Sequence, residues 1–71
     1  MLSSVIEGET YSHDKGGLYK VVGIAVHGRL LSRKVVVYQN LDKTSSLPAF
    51  TPHALGINQF MKTFNKVKYN D

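Results

Sequence analysis

The chain has 71 residues, no cysteine and a formal net charge of +4, from 9 Lys and Arg against 5 Asp and Glu. This length predicts a single domain, residues 1–71 with a core over about 8–69, and the lack of cysteine excludes disulfides and Cys-based zinc sites as supports for that core. We therefore expect oligomerisation to supplement a small core, and the positive charge to favour anionic partners if it does more than keep the protein soluble.

No apolar run approaches the roughly 20 residues of a membrane span, and residues 1–8 lack the basic start and apolar middle of a signal peptide. The absence of cysteine fits a reducing compartment. The sequence thus predicts a soluble, cytoplasmic protein with no membrane partner.

Residues 1–8 have no strand or helix periodicity and predict a leader or edge strand in which Val5 and Ile6 cover one end of the core. The stretch "ETYSH" then alternates as a strand does, with Tyr11 and His13 on one face. The next residues, "DKGG", supply two glycines for a tight turn, so the sequence predicts a β-hairpin here.

The second strand is predicted over "LYKVVGIAVH", which is rich in β-branched residues. Strict alternation would place Tyr19 and His27 on one face of this strand, with Gly23 between them allowing a bend or a bulge. "GRLLSR" reads as a turn that exposes Leu30 and Leu31.

A third strand is predicted over "KVVVYQNL", a polar loop over "DKTSS" and a short strand over "LPAFT". Thr51 followed by Pro52 is typical of a helix start. An amphipathic helix is predicted after it from apolar residues at three- and four-residue spacing, namely Ile57, Phe60, Met61, Phe64 and Val67. The alternative for "KVKY" is a final short strand.

These elements predict a mainly β fold: a small, SH3-like antiparallel barrel or roll of four or five strands with one C-terminal helix. Closure of a curved sheet is expected because it hides the edges of so few strands.

The order "GETYSHDKGGLYKVVGIAVH", "VVVYQNL", "FTP" and "NQFMKTF" resembles a family of small bacterial and phage domains of unknown function, DUF1653, over about residues 8–64. The residues at the positions of that pattern are Gly8, Tyr11, His13, Lys15, Gly16, Tyr19, Val21, Ala25, His27, Val36, Val37, Tyr38, Pro52 and Phe60. The resemblance carries no catalytic role to transfer, and it allows a phage source, in which case the protein would act in the host cytoplasm.

The chain departs from that pattern at two places that bear on charge. Thr51 stands where the pattern has an arginine before proline, which puts an anion site built on that arginine in doubt. The turn before the third strand offers Arg29, Arg33 and Lys34 instead, so we expect positive charge at this other position.

The residues do not predict an enzyme. Three histidines are too few and too scattered for a metal motif, and no carboxylate pair, nucleophile elbow or phosphate loop is present. We expect no catalytic residues, no metal and no cofactor. The structural alternative for His13 and His27 is a half-buried imidazole that donates to a backbone carbonyl and packs on a tyrosine.

Rings interleaved with cations favour binding of a nucleotide, because a flat π surface stacks on a base and a cation neutralises phosphate. The predicted ligand-binding residues are Tyr11, His13, Lys15, His27, Arg29, Arg33, Lys34 and Thr51. Tyr19 and Tyr38 are expected to be core rings with their hydroxyls at the rim, whereas Tyr11 and His13 are expected to be reachable.

The sequence therefore predicts a non-catalytic binding protein, a homo-oligomer that holds a small anionic nucleotide, and in a phage one that sequesters a host signalling nucleotide as an anti-defence device. The alternatives are a module that docks on a host protein through Leu30 and Leu31, or a weak binder of single-stranded nucleic acid.

Overall fold

In the computed structural model, which describes residues 2–67, the chain forms one antiparallel sheet and one short helix. The elements in chain order are β1 Thr10–His13, β2 Leu18–Val26, β3 Lys34–Asn40, β4 Pro52–Gly56, α1 Ile57–Thr63 and β5 Phe64–Lys66. Valine and isoleucine dominate β2 and β3, the longest strands, because branched side chains suit extended backbone. The prediction of a mainly β fold with a single helix is confirmed.

The five strands have the order β4-β3-β2-β1-β5. The first four form a meander, and β5 then returns to pair with β1, with Ser12 opposite Asn65. Within residues 2–67, β4 and β5 each pair with one neighbour, so the sheet has two open edges. The sheet is therefore not closed, and the predicted SH3-like barrel is not confirmed.

The core lies between one face of the sheet and α1. Its buried apolar residues are Tyr11, Val21, Val36, Tyr38, Phe60 and Phe64. The rings of Phe60 and Phe64 stack with centroids 4.1 Å apart. Residues on the inner face of β3 alternate with the outer residues Val35, Val37 and Gln39, as predicted.

The segment before β1 contributes part of this core without forming a strand. Leu2 and Val5 pack against the buried residues, and the Leu2 amide donates to the Met61 carbonyl at 2.9 Å. Ile6 is exposed. The prediction that this segment covers the core is confirmed for Val5 and wrong for Ile6.

A β-bulge interrupts β2 between Val21 and Gly23, where the pairing with β3 shifts by one residue. An extra residue in a strand reverses the alternation of side chains beyond it. Ile24 therefore takes the face that Tyr19 and Val21 occupy before the bulge. The bulge predicted at Gly23 is present, and the prediction that His27 shares a face with Tyr19 is wrong.

The segment predicted to begin a helix is the edge strand β4. It pairs with β3 along its length, with Ala54 opposite Val37, and this pairing outweighs the local Thr-Pro signal. Helix α1 begins after Gly56 and has only 7 residues, because Phe64 takes extended backbone and opens β5.

Two smaller predictions about the loops and the chain end also change. Residues 47–51, predicted to be a short strand, form a loop. Of the alternative final strand "KVKY", Lys66 lies in β5, Val67 follows it, and residues 68–69 lie outside the described residues.

Candidate functional site

One end of the sheet, where β2 begins and β3 ends, carries a cluster of four rings that we call the aromatic end: His13, Tyr19, Tyr38 and His53. The Tyr19 ring is at its centre, with centroids 5.6 Å from Tyr38, 6.0 Å from His53 and 6.2 Å from His13. His53 stacks on Tyr38 at 5.1 Å. Tyr38 is buried and the other three rings are half-buried, so the cluster joins the core to the surface.

Tyr11, predicted to be a reachable stacking ring, is a core residue. Its side chain is 2% exposed and meets Phe60 edge to face. Its hydroxyl accepts a hydrogen bond from the Ile6 amide at 2.9 Å. A base arriving from solvent therefore has no access to this ring, and the prediction that Tyr11 is reachable is wrong.

The turn before Tyr19 is shaped around its ring. Gly16 and Gly17 have φ of +104° and +94°, the left-handed region that favours glycine, as the "DKGG" signal predicts. A Cβ on Gly17 would lie 3.2 Å from a ring carbon of Tyr19, whereas one on Gly16 would meet nothing within 4 Å. Glycine at position 17 thus allows the left-handed backbone of the turn and leaves space for the Tyr19 ring.

His13 holds the same turn from the other side. Its Nδ1 accepts a hydrogen bond from the Lys15 amide at 3.0 Å. The ring also meets Phe64 edge to face at 4.9 Å. The Lys15 side chain is exposed. Two of the predicted ligand residues, His13 and Lys15, therefore lie together at the aromatic end.

Asn40, at the end of β3, is the buried polar centre of the loop that follows. Its Nδ2 donates to the carbonyls of Asp42 and Pro48, both at 2.8 Å. Its Oδ1 accepts from the Thr51 amide and lies within hydrogen-bonding distance of His53 Nε2, each at 3.1 Å. One side chain thus fixes loop 41–51 against β4.

Thr51, a predicted ligand residue, belongs to this network. Its amide bonds Asn40, and its hydroxyl donates to the Pro48 carbonyl at 2.7 Å. The amide and the hydroxyl of Thr51 therefore both form hydrogen bonds that hold the loop. Beside it, Phe50 has a φ of +64°, uncommon for a residue with a side chain, and its ring is 61% exposed.

Burial raises the pKa of the Tyr38 hydroxyl above its ordinary value of 10.0, and the nearby Tyr19 adds to that increase. The phenolate is disfavoured because the core offers it little solvation. Tyr38 therefore stays neutral throughout the physiological range, as a core ring does.

The opposite end of the sheet carries the predicted cations, and we call it the cationic end: Arg29 and Arg33 in the turn before β3, and Lys34 at the first position of β3. His27 shapes this turn, because its Nδ1 accepts hydrogen bonds from the amides of Arg29 and Leu30, at 3.1 and 3.0 Å. His27 is therefore a turn-capping residue. It is exposed and its ring accepts from backbone amides, so the structural alternative of a half-buried ring that donates to a carbonyl is wrong for His27.

Leu30 and Leu31 lie at the tip of this turn, 47% and 75% exposed, as predicted. The tip is ordered by two backbone bonds, from the His27 amide to the Arg33 carbonyl and from the Arg33 amide to the Leu30 carbonyl. An apolar pair is thus held out to solvent by a hydrogen-bonded turn.

An open groove of about 380 Å³ lies beside the cationic end. It is lined by Ser32, Arg33, Lys34, Gly56, Ile57, Asn58 and Gln59. The groove joins two predicted cations to two side-chain amides at the start of α1. Asn58 and Gln59 were not predicted, because no local signal indicates that the start of α1 faces the turn before β3.

The two groups of predicted residues are not brought together in one chain. Tyr19 pairs with Asn40, whereas Lys34 lies six residues earlier on β3. At about 3.3 Å per residue, roughly 20 Å of strand separates the aromatic end from the cationic end. A base stacked on one end of a chain therefore cannot place its first phosphate at the other.

Comparison with families of known sequence matches one of them, described as a protein of unknown function (DUF1653), over residues 9–51. The chain belongs to this family. The matched region runs from β1 through the Asn40 loop and ends before β4 and α1, so it contains Arg33 and Lys34 but not the Asn58 side of the groove. Comparison with curated proteins gave no significant match, and comparison with solved structures gave none either.

Two further features bear on the class of site. Among residues 2–67, no group of three or more His, Cys, Asp or Glu is placed to hold a metal ion. No helix in the same region is long and apolar enough to cross a membrane.

Proposed function

We propose that this protein is a non-catalytic, oligomeric binding protein for a small anionic nucleotide, with the phosphate held in the groove at the cationic end. The observation that carries the proposal is the groove itself, where Arg33 and Lys34 line one concave surface together with the amide side chains of Asn58 and Gln59.

The chemistry of this lining suits a phosphate better than a neutral ligand. A guanidinium matches two phosphate oxygens at once, an ammonium adds a second positive charge, and carboxamides donate further hydrogen bonds. The lining holds no carboxylate to repel an anion. A concave surface also removes part of the solvent that would otherwise screen these charges.

The same lining supports binding rather than turnover. Its one hydroxyl, on Ser32, has no imidazole or carboxylate among the groove residues to act as its base. A protein that holds a nucleotide without hydrolysing it would act by lowering the free concentration of that nucleotide. In a phage, such a protein would sequester a host signalling nucleotide in the host cytoplasm.

The test is thermal unfolding with a panel of ribonucleoside triphosphates and cyclic dinucleotides, with inorganic phosphate as the minimal probe. A ligand that binds only the folded protein raises its melting temperature. We expect a rise for at least one nucleotide, and its loss in the double variant Arg33→Ala/Lys34→Ala. Lys66→Ala, which removes an exposed cation from β5 at the opposite edge of the sheet, is the matched control and should keep the rise. No rise with any probe would contradict the proposal, and a hydrolysed ligand on mass spectrometry would make the protein an enzyme.

A second candidate function rests on Leu30 and Leu31, whose exposure on an ordered turn favours docking on a host protein. Leu30→Asp would then abolish capture of that protein while nucleotides leave the melting temperature unchanged. Binding of single-stranded nucleic acid is less favoured, because the three cations of the cationic end neutralise few phosphates.

A further inference from the structure

The groove at the cationic end lacks one component that nucleotide binding needs. Of its seven lining residues, none is aromatic. Base recognition uses a flat ring more than any other group. The rings of the same chain are about 20 Å away along β3, so this chain alone does not complete the site.

Among residues 2–67, Phe50 is the phenylalanine or tyrosine most exposed to solvent. It is 61% exposed, and the Asn40 network fixes its neighbours on both sides, with the Phe50 amide itself donating to the Asn40 carbonyl at 2.7 Å. Its φ of +64° costs free energy relative to extended backbone, and such strain persists where surrounding contacts impose it, often at binding sites. The hydrogen bonds of loop 41–51 therefore hold an aromatic ring in an exposed position.

The edge strand β4 provides a way to bring this ring to a groove. Edge strands normally carry charge, proline or bulges that prevent pairing with another chain. The sequence of β4 is PHALG, whose only such residue is Pro52 at its first position, whereas the opposite edge β5 carries the exposed Lys66. The β4 edge is thus the less protected of the two.

Antiparallel pairing of β4 with β4 of a second copy has a simple geometry. If the two-fold axis passes between the two copies of Ala54, each residue of β4 faces the partner residue equally far on the other side of position 54. Pro52 then faces the partner's Gly56, so Phe50, two residues before β4, lies near the start of the partner's α1, whose Asn58 lines the groove. A two-fold interface repeats the contact, so both grooves gain a ring.

Charge favours the same arrangement. The cationic end has Arg29, Arg33 and Lys34, and no acidic residue occurs between Asp14 and Asp42 in the sequence. Antiparallel copies keep the two cationic ends apart, and each lies beside the partner's Asn40 loop, in which the charges of Asp42 and Lys43 balance. A parallel arrangement would instead place like charges together.

We propose that the nucleotide site is completed by a second copy of this chain, paired antiparallel along β4, whose Phe50 stacks on the base while Arg33 and Lys34 bind the phosphate. This inference rests on the proposed function for its ligand. The interface is a separate claim about the fold, and the two are tested by separate readouts.

The interface is tested by an engineered cysteine, since the native chain has none. Residues that face each other across an antiparallel pair have Cα atoms about 4.5–5.5 Å apart, within the range of a disulfide. Ala54→Cys should therefore form a disulfide-linked dimer under mild oxidation. Lys20→Cys, exposed on the central strand β2, is the control and should not. A monomeric Ala54→Cys protein would overturn the inference.

The shared site is tested by mixing two defective variants. Phe50→Ala and Arg33→Ala/Lys34→Ala should each lose at least tenfold in affinity for the nucleotide that stabilises the native protein. Co-expressed in equal amounts, they form mixed dimers in half of all cases, each with one intact and one doubly defective site, so about a quarter of the sites should recover. Phe50→Gly, which accepts the left-handed φ without strain, guards against misfolding of the alanine variant.

The outcomes separate the two proposals. Nucleotide binding by the native protein with no recovery on mixing would overturn the shared site and leave the proposed function standing. An Ala54→Cys dimer without any nucleotide binding would contradict the proposed function and leave the interface standing.

Discussion

The two ends of the sheet differ in how completely their groups are satisfied. At the aromatic end, rings contact one another, and Asn40 uses its side-chain oxygen and nitrogen for four hydrogen-bonding contacts. At the cationic end, Leu30 and Leu31 are exposed and the groove is open. The comparison shows that the side chains with the most internal contacts and the exposed groove residues lie about 20 Å apart along β3.

Asn40→Ala removes the polar centre of the loop beside the aromatic end, and we expect the largest loss of stability from it. Removal of this side chain takes one hydrogen-bonding contact from each of four partners while its own buried site becomes a cavity, and we expect a loss of about 3 kcal/mol in the free energy of unfolding. Urea denaturation measures it. Gln39→Ala, on the outer face of β3, is the matched control and should cost much less; equal losses would show that Asn40 is not the centre of the loop.

Gly17→Ala tests how closely the turn is fitted to Tyr19. The left-handed φ and the 3.2 Å contact together predict a loss of about 2 kcal/mol in thermal or urea unfolding. Gly16→Ala has a similar φ and open space, so about 1 kcal/mol is expected there. Equal losses for the two would mean that the Tyr19 ring moves aside without cost.

His27→Ala acts on the cationic end alone. Loss of the Nδ1 acceptor frees the amides of Arg29 and Leu30, with an expected cost of about 1 kcal/mol. Hydrogen exchange should accelerate at those two amides and remain unchanged at Thr51. His27→Asn, which keeps a short acceptor, should restore part of the protection; faster exchange at both ends would mean that the ends are coupled.

Tyr38→Phe should have the smallest effect at neutral pH, and a distinct one in alkali. Because the folded pKa of Tyr38 is raised above 10.0, its contribution to stability is present below about pH 10 and is lost as the pH rises through the folded value. The variant should unfold less steeply with rising pH, followed by circular dichroism. An unchanged alkaline profile would assign that loss to other groups.

Strand positions could be predicted from the sequence because their signals are local. Alternation assigned the inner face of β3 correctly, and two glycines marked the first turn. The Thr51-Pro52 signal failed because the pairing of Ala54 with Val37, which sequence spacing does not reveal, determines the conformation of β4.

The candidate site was less predictable than the fold. Arg33 and Lys34 were identified from charge, which is a local property, and they line the groove. Tyr11 was misplaced because the same tyrosine serves as a core ring or a stacking ring, and only the packing of Phe60 against it decides. Nothing in the sequence marks Asn40 as a hub, since its partners lie 2, 8, 11 and 13 residues away.

The bulge between Val21 and Gly23 has a consequence for motion. It divides β2 into a half at the aromatic end and a half at the cationic end. A bulge also locally disrupts the ladder of hydrogen bonds that joins β2 to β3. The two halves can then open as separate cooperative units, each with its own free energy. Thermal fluctuation of the turn between β2 and β3 would thus stop at the middle of β2 and leave the packed rings undisturbed.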